Sequence, residues 1–134
     1  MTFDMLQKVL FKHCDPAGIV FYPRYFEMMN DCVEAFFDTV LQAPFEEIHK
    51  SGAVPTAQIQ TRFAAPSRHG DHLVLKLAIT RVGKSSADCQ ILAHCDDQLR
   101  FEMTSTFVNI TLEGKSSPWP DALRTKLIDF KDIA

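Results

Sequence analysis

Two periods of apolar residues alternate along this chain and divide it into one long helix among strands. Over residues 3–11, Met5, Val9 and Phe11 fall on one side and Leu6, Lys8 and Leu10 on the other, which predicts a partly buried first strand. From Pro23 the period lengthens: Phe26, Met29, Val33, Phe36, Phe37 and Val40 recur three or four apart, with Arg24, Glu27, Asp31, Glu34 and Asp38 between them. That spacing predicts an amphipathic helix reaching about Leu41. Pro23 suits a first helical position, where its missing N–H goes unused, and Pro44 stops any continuation. A helical turn is expected over 45–49, after which Gly52 returns the chain to extended structure.

The remainder predicts strands at 54–63, 72–82, 85–95 and 99–112. Leu73, Leu75, Leu77 and Ile79 alternate in the second, and Ala87, Cys89, Ile91 and Ala93 in the third. The breaks between them, Pro66-Ser67-Arg68-His69-Gly70-Asp71, Gly83-Lys84 and Asp96-Asp97-Gln98, are hairpin-sized. Several long strands with one helix as their only partner pack most economically as a curved antiparallel sheet wrapped around that helix, an α+β fold. Beyond Pro118 and Trp119 a short helix through Leu123, Leu127 and Ile128 is expected to be peripheral or to lie between subunits. At 134 residues the chain has the length of one domain, 1–134.

Composition narrows the function classes. Hydrophobic residues make up 46% and charged ones 23%, values typical of globular proteins. A net charge of −3 offers no basic field for nucleic acid or anionic lipid, so a small ligand is the better partner. Apolar runs are too short to span a membrane. Cys14, Cys32, Cys89 and Cys95 are irregularly spaced, without a CxxC pair, and no secretory signal pattern precedes them. They are expected to be reduced thiols in a cytoplasmic protein.

Chemistry converges on one short segment. Asp15 stands in a rigid Asp-Pro turn, and Gly18 has the freedom for positive φ and close backbone approach. A helix begins just beyond, and its first amides, near Tyr22 and Arg24, are suited to a carbonyl oxygen gaining negative charge. A carboxylate beside such donors suffices for acyl transfer, by direct attack or by activating water. The same residues also suffice for an ordinary turn.

The run Phe11-Lys12-His13-Cys14-Asp15-Pro16-Ala17-Gly18-Ile19-Val20-Phe21-Tyr22-Pro23-Arg24-Tyr25-Phe26 resembles the signature of the 4-hydroxybenzoyl-CoA thioesterase family of hotdog-fold proteins. Strand lengths and order resemble that family over nearly the whole chain. The resemblance implies that Asp15 is the nucleophile or general base and that the Tyr22 backbone amide polarises the thioester carbonyl. Pro23 stands where some relatives carry histidine, so the proline form resembles the aryl-CoA enzymes more closely. By the same resemblance the turn carrying Arg81, Lys84 and Ser85 holds the nucleotide end of coenzyme A, with Arg62 and Arg68 as further candidates. Sheets of such domains pair into homodimers, often doubled to homotetramers, with the thioester between subunits. The pocket then borrows the helix of the partner subunit, on which Asn30 would meet an acyl group, although an amide there differs in charge from a carboxylate; as part of a polar helix face it is also simply solvated.

Other constellations are weaker. His13 and Cys14 are adjacent in extended chain and point to opposite faces, which disfavours a thiolate dyad. His69, Asp71 and His72 match no zinc spacing. The expected activity is hydrolysis of an aryl- or short-chain acyl-CoA to free acid and coenzyme A, without metal or cofactor. The alternatives are a non-catalytic acyl-CoA sensor and a thioesterase acting on acyl carrier protein.

Overall fold

The computed structural model describes residues 1–133. Strands β1 (Phe3–Lys8), β3 (Thr56–Phe63), β4 (His72–Val82), β5 (Ser86–Cys95) and β6 (Gln98–Val108) form one antiparallel sheet in the order β1-β4-β5-β6-β3. A separate ribbon pairs β2 (Gly52–Ala53) with β7 (Ile110–Thr111). The helices are α1 (Tyr22–Thr39), α2 (Phe45–Ile48) and α3 (Asp121–Asp132).

Period-two alternation sends every second residue of the central strands to one face. Leu73, Leu75, Leu77 and Ile79 of β4, the four alternate residues of β5, and Phe101, Met103 and Phe107 of β6 are buried there. Helix α1 covers this face through Tyr25, Met28, Met29, Cys32, Phe36 and Phe37. Phe26, Val33 and Val40, expected in the same stripe, are only partly buried. The helix is therefore turned so that part of its apolar surface is left outside the core.

Three expectations need correction. The first strand ends at Lys8 rather than residue 11, because the His13 Nδ1 accepts the Leu10 N–H at 2.8 Å and a 3-10 turn forms over Phe11–His13. The segment 66–71 is not a hairpin: β3 pairs with β6 at one edge while β4 pairs with β1 and β5, so the chain crosses the end of the sheet. The tail helix is not peripheral. Leu123, Leu127 and Phe130 are buried in the same core, Phe130 meeting Phe36 edge-on at 4.9 Å, because α1 alone does not cover the sheet. Trp119 anchors the approach to α3, donating its indole N–H to the Ser86 carbonyl at 3.1 Å.

Candidate active site

The segment between the 3-10 turn and α1 folds back on itself. Cys14 pairs with Val20, the Asp15 N–H donates to the Ile19 carbonyl at 2.9 Å, and the Phe21 N–H donates to the His13 carbonyl at 2.9 Å. Asp15-Pro16-Ala17-Gly18 forms the tip, closed by the Gly18 N–H on the Asp15 carbonyl at 2.9 Å. Gly18 has φ +83°, a left-handed conformation that a side chain would strain. One carboxylate oxygen of Asp15, Oδ1, accepts the Ala17 N–H at 2.9 Å, which fixes the side chain over the turn and leaves Oδ2 without a protein partner among the described residues.

The return strand of this loop delivers the chain to the N-terminus of α1. Phe21 is the capping residue, and among the described residues no side chain caps the helix. The Arg24 N–H is taken by the Phe21 carbonyl at 2.8 Å, Pro23 has none, and the Tyr22 N–H has no partner among the described residues. Of the two amides proposed from sequence, the structure thus leaves Tyr22 and occupies Arg24.

The loop rests on the crossover 66–71. The Val20 N–H donates to the Ser67 carbonyl at 2.8 Å, and Ile19 pairs with Arg68. The crossover is itself tied down from beneath by Arg100, whose Nη1 donates to the Pro66 carbonyl, to Ser67 Oγ and to Asp71 Oδ2 at 3.1, 3.1 and 2.7 Å. The Arg68 N–H and the Arg100 guanidinium hold the Asp71 carboxyl below the usual carboxylate range. Tyr25 packs beside Ser67, and burial pushes its phenol up, so it keeps its proton. Buried His13 is held below the ordinary imidazole value, first by burial and then by Lys12. It is neutral, accepting at Nδ1.

Two depressions flank this arrangement. A groove of about 560 Å³ runs between the loop and the end of β3, lined by Ile19, Val20, Tyr22, Tyr25, Phe63 and Pro66 among others. A separate cleft of about 280 Å³ lies further along α1, where Phe26, Met29, Asn30 and Val33 face β3 and β6, and the Phe63 ring, packed against Tyr22 and Phe26, stands between the two. Phe26 and Val33, two of the helix positions only partly buried in the core, are walls of this cleft. Asn30, which sequence left open between solvent and ligand, stands in its lining.

The remaining sequence candidates fall elsewhere. Arg68 is exposed but close: its Nη1 lies 3.9 Å from where a Cβ on Gly18 would be. Arg62 is on the opposite face of the sheet, paired with Glu102 at 2.8 Å. Arg81 is engaged by Asp88 at 2.9 Å and by Ser86 Oγ at 2.9 Å. Lys84 is exposed, its carbonyl taken by the Trp119 N–H and that of Ser85 by the Asn109 N–H. This turn lies at the far end of β4 from the crossover, and the strand's eleven residues span on the order of 30 Å. Within one chain Asp15 and Gly18 share a folded loop that leads into Tyr22 and rests on Arg68, and Arg62, Arg81, Lys84 and Ser85 do not join them. Sequence reading missed Arg100, Ser67 and Tyr25, whose roles follow from the crossover, and Phe26 and Ser105 in the cleft.

Comparison with known proteins gives a consistent result. Residues 9–127 match the family model of the thioesterase-like superfamily. A 1,4-dihydroxy-2-naphthoyl-CoA hydrolase of Synechocystis is 26% identical over 134 residues, covering 96% of both chains. The structure of a 1,4-dihydroxy-2-naphthoyl-CoA thioesterase from Synechocystis superimposes with TM-score 0.90 at 24% identity, over 99% of this chain and 100% of that one. A 4-hydroxybenzoyl-CoA thioesterase mutant, solved with 4-hydroxybenzoyl-CoA, gives TM-score 0.86 at 19% identity, over 94% and 98% of the two chains. The chain belongs to the thioesterase-like superfamily and has its α+β hotdog fold.

Proposed function

We propose that this member of the thioesterase-like superfamily hydrolyses an acyl-CoA thioester to a free acid and coenzyme A. The observation that carries this reading is the pairing, within one folded loop, of a carboxylate with a free oxygen and a helix-terminal N–H without a partner among the described residues, at Asp15 and Tyr22. The thioester carbonyl oxygen accepts the Tyr22 N–H, and the helix terminus stabilises the negative charge that develops there. Asp15 attacks the carbonyl carbon or takes a proton from a water that does. The tetrahedral intermediate collapses and the C–S bond breaks: on the water route Asp15 passes its proton to the departing sulfur, and on the covalent route a thiolate leaves, water then hydrolyses the acyl-aspartate and the proton so released balances the thiolate. Gly18 keeps the turn that aims the carboxylate. Neither a metal nor a cofactor enters this scheme.

The small cleft favours an aryl or short acyl group over a long chain, since ligand pockets commonly run from about 300 to 1,000 Å³ and this one is about 280 Å³. The names of the relatives support the aryl class. In our reading Arg68 meets the phosphate-bearing end of coenzyme A from the same chain, and Lys84, Ser85 and Arg81 do so from another subunit. The exposed edge strand β3, with Ile59 and Phe63 at 42% and 44% exposure, supports a homodimer or homotetramer in this reading. We place the protein in the cytoplasm on its four free cysteines. The test is thiol release from aryl-, short- and long-chain acyl-CoA esters and from acyl carrier protein esters, by wild type and Asp15→Asn. Turnover of one CoA class by wild type alone is expected. Binding of CoA esters without cleavage would replace the enzyme by a sensor.

A further inference from the structure

The cleft along α1 has apolar walls, with Phe26, Phe45 and Phe107 supplying aromatic surface, and three polar points at Asn30, Thr56 and Ser105. Asn30 and Thr56 lie on exposed parts of α1 and β3. Ser105 is different. The inward positions of β6 are Phe101, Met103, Ser105 and Phe107, so a hydroxyl occupies a place where the alternation otherwise sets a large apolar side chain. Its neighbours on both strands, Cys89 of β5 and Ile59 of β3, are apolar as well. Ser105 is 7% exposed and lines the cleft, and among the described residues no protein group hydrogen-bonds its hydroxyl, which is open to the cleft rather than sealed in the core. Water reaches such a hydroxyl in the free protein, so a ligand that fills the cleft displaces that water and must supply the hydrogen bond itself.

We infer that Ser105 is a specificity-determining residue, whose hydroxyl on the floor of the cleft hydrogen-bonds a polar substituent on an aromatic acyl group. The inference rests on the thioesterase reading for the source of that group. Geometry supports the placement. Phe26 is one helical turn beyond Tyr22 and Asn30 two, about 12 Å along the axis, and helical side chains lean back toward the N-terminus. An acyl group whose carbonyl oxygen meets the Tyr22 N–H and whose ring follows α1 past the half-exposed Phe63, which packs against Tyr22 and Phe26, enters the cleft. Flat aromatic walls accept the ring, and only a hydroxyl or similar group at its distal side finds Ser105. A site built to hydrogen-bond such a group discriminates strongly against an analogue that lacks it, because the site's own hydroxyl, cut off from water by the bound ring, then stays unpaired.

The test compares hydroxylated benzoyl- and naphthoyl-CoA esters with their unsubstituted counterparts, using wild type, Ser105→Ala and Ser105→Cys. Cysteine fills nearly the same space with a much weaker donor, so it separates hydrogen bonding from packing. Wild type is expected to prefer a hydroxylated ester. Both variants are expected to lose at least tenfold in kcat/KM on that ester while changing less than twofold on the unsubstituted one. Equal losses on both esters, full rescue by cysteine, or no preference in wild type would overturn the inference and leave the thioesterase reading standing. If wild type cleaves no ester, that reading fails by itself. Equilibrium binding of the free hydroxylated and unsubstituted acids then decides: a preference that Ser105→Ala removes supports the role, and no preference, or one unchanged in the variant, overturns it.

Discussion

Arg100 Nη1 and Asp71 Oδ2 meet at 2.7 Å beneath the crossover, and the loop that carries Asp15 is hydrogen-bonded to that crossover. The Arg100 side chain is 11% exposed and that of Asp71 is 30% exposed. A guanidinium that also holds Pro66 and Ser67 thus fixes the backbone on which Ile19 and Val20 rest. Breaking a fully buried ion pair costs about 3–5 kcal/mol; the partial exposure of Asp71 sets the expectation for Arg100→Met nearer 2–3 kcal/mol. Urea unfolding of the variant and wild type measures it. A loss below about 0.5 kcal/mol would mean that the crossover is held by other contacts.

Asp71 also carries an acid dependence. Its folded carboxyl is held below the unfolded value by the Arg68 N–H and Arg100. The stability it adds is therefore complete above the ordinary carboxylate range and is lost as pH falls through the depressed folded value. Asp71→Asn is expected to flatten the acid limb of a plot of Tm against pH. An unchanged limb would contradict this assignment.

His13 titrates with the same sign for a different reason. It is buried and accepts the Leu10 N–H, so protonation removes an acceptor as well as placing a charge in the interior. With its folded pKa below the ordinary value near 6.5, stability is full above that value and declines as pH falls toward the folded one. His13→Gln is expected to remove the decline, which thermal unfolding between about pH 5 and 8 detects.

Gly18 tests the turn itself. A Cβ there meets only ordinary contact with Arg68, so the cost of Gly18→Ala is the left-handed backbone at φ +83°. That cost is roughly 1–2 kcal/mol. Because relief of the strain moves Asp15, the variant is expected to lose more in kcat than in global stability. Equal activity at reduced Tm would separate the turn from catalysis.

Phe130 tests the placement of α3. It is 6% exposed against Phe36, and Phe130→Ala is expected to cost about 3–5 kcal/mol. The loss should not depend on protein concentration, since the contact lies within one chain. A concentration-dependent loss would return α3 to a subunit interface.

Much of this was legible in the chain. Alternation at Leu73 to Ile79 and Ala87 to Ala93 marked β4 and β5, and the three-or-four spacing after Pro23 marked α1, because local periodicity is what those elements are made from. The turn at Asp15 was legible because Asp-Pro and Gly18 act locally. What sequence could not show is long-range. A six-residue break between strands has the same composition in a hairpin and in a crossover, so the support of Ser67, Arg68 and Arg100 for the Asp15 loop was hidden. The separation of Arg62 and Lys84 from Asp15 depends on sheet face and strand end, which register alone decides. Ser105 did leave a signal, a hydroxyl among Phe101, Met103 and Phe107, but its meaning needs the helix face opposite.

The most direct test of the central claim is kcat of Asp15→Asn against wild type on the CoA ester that wild type cleaves best, read as thiol release. Asparagine keeps the size of the side chain and removes its charge and basicity. A fall of about 10²–10⁴, the usual contribution of such a group, with the fold intact by thermal unfolding, is the result expected here. An unchanged kcat would contradict the account and leave Asp15 as a residue of the turn.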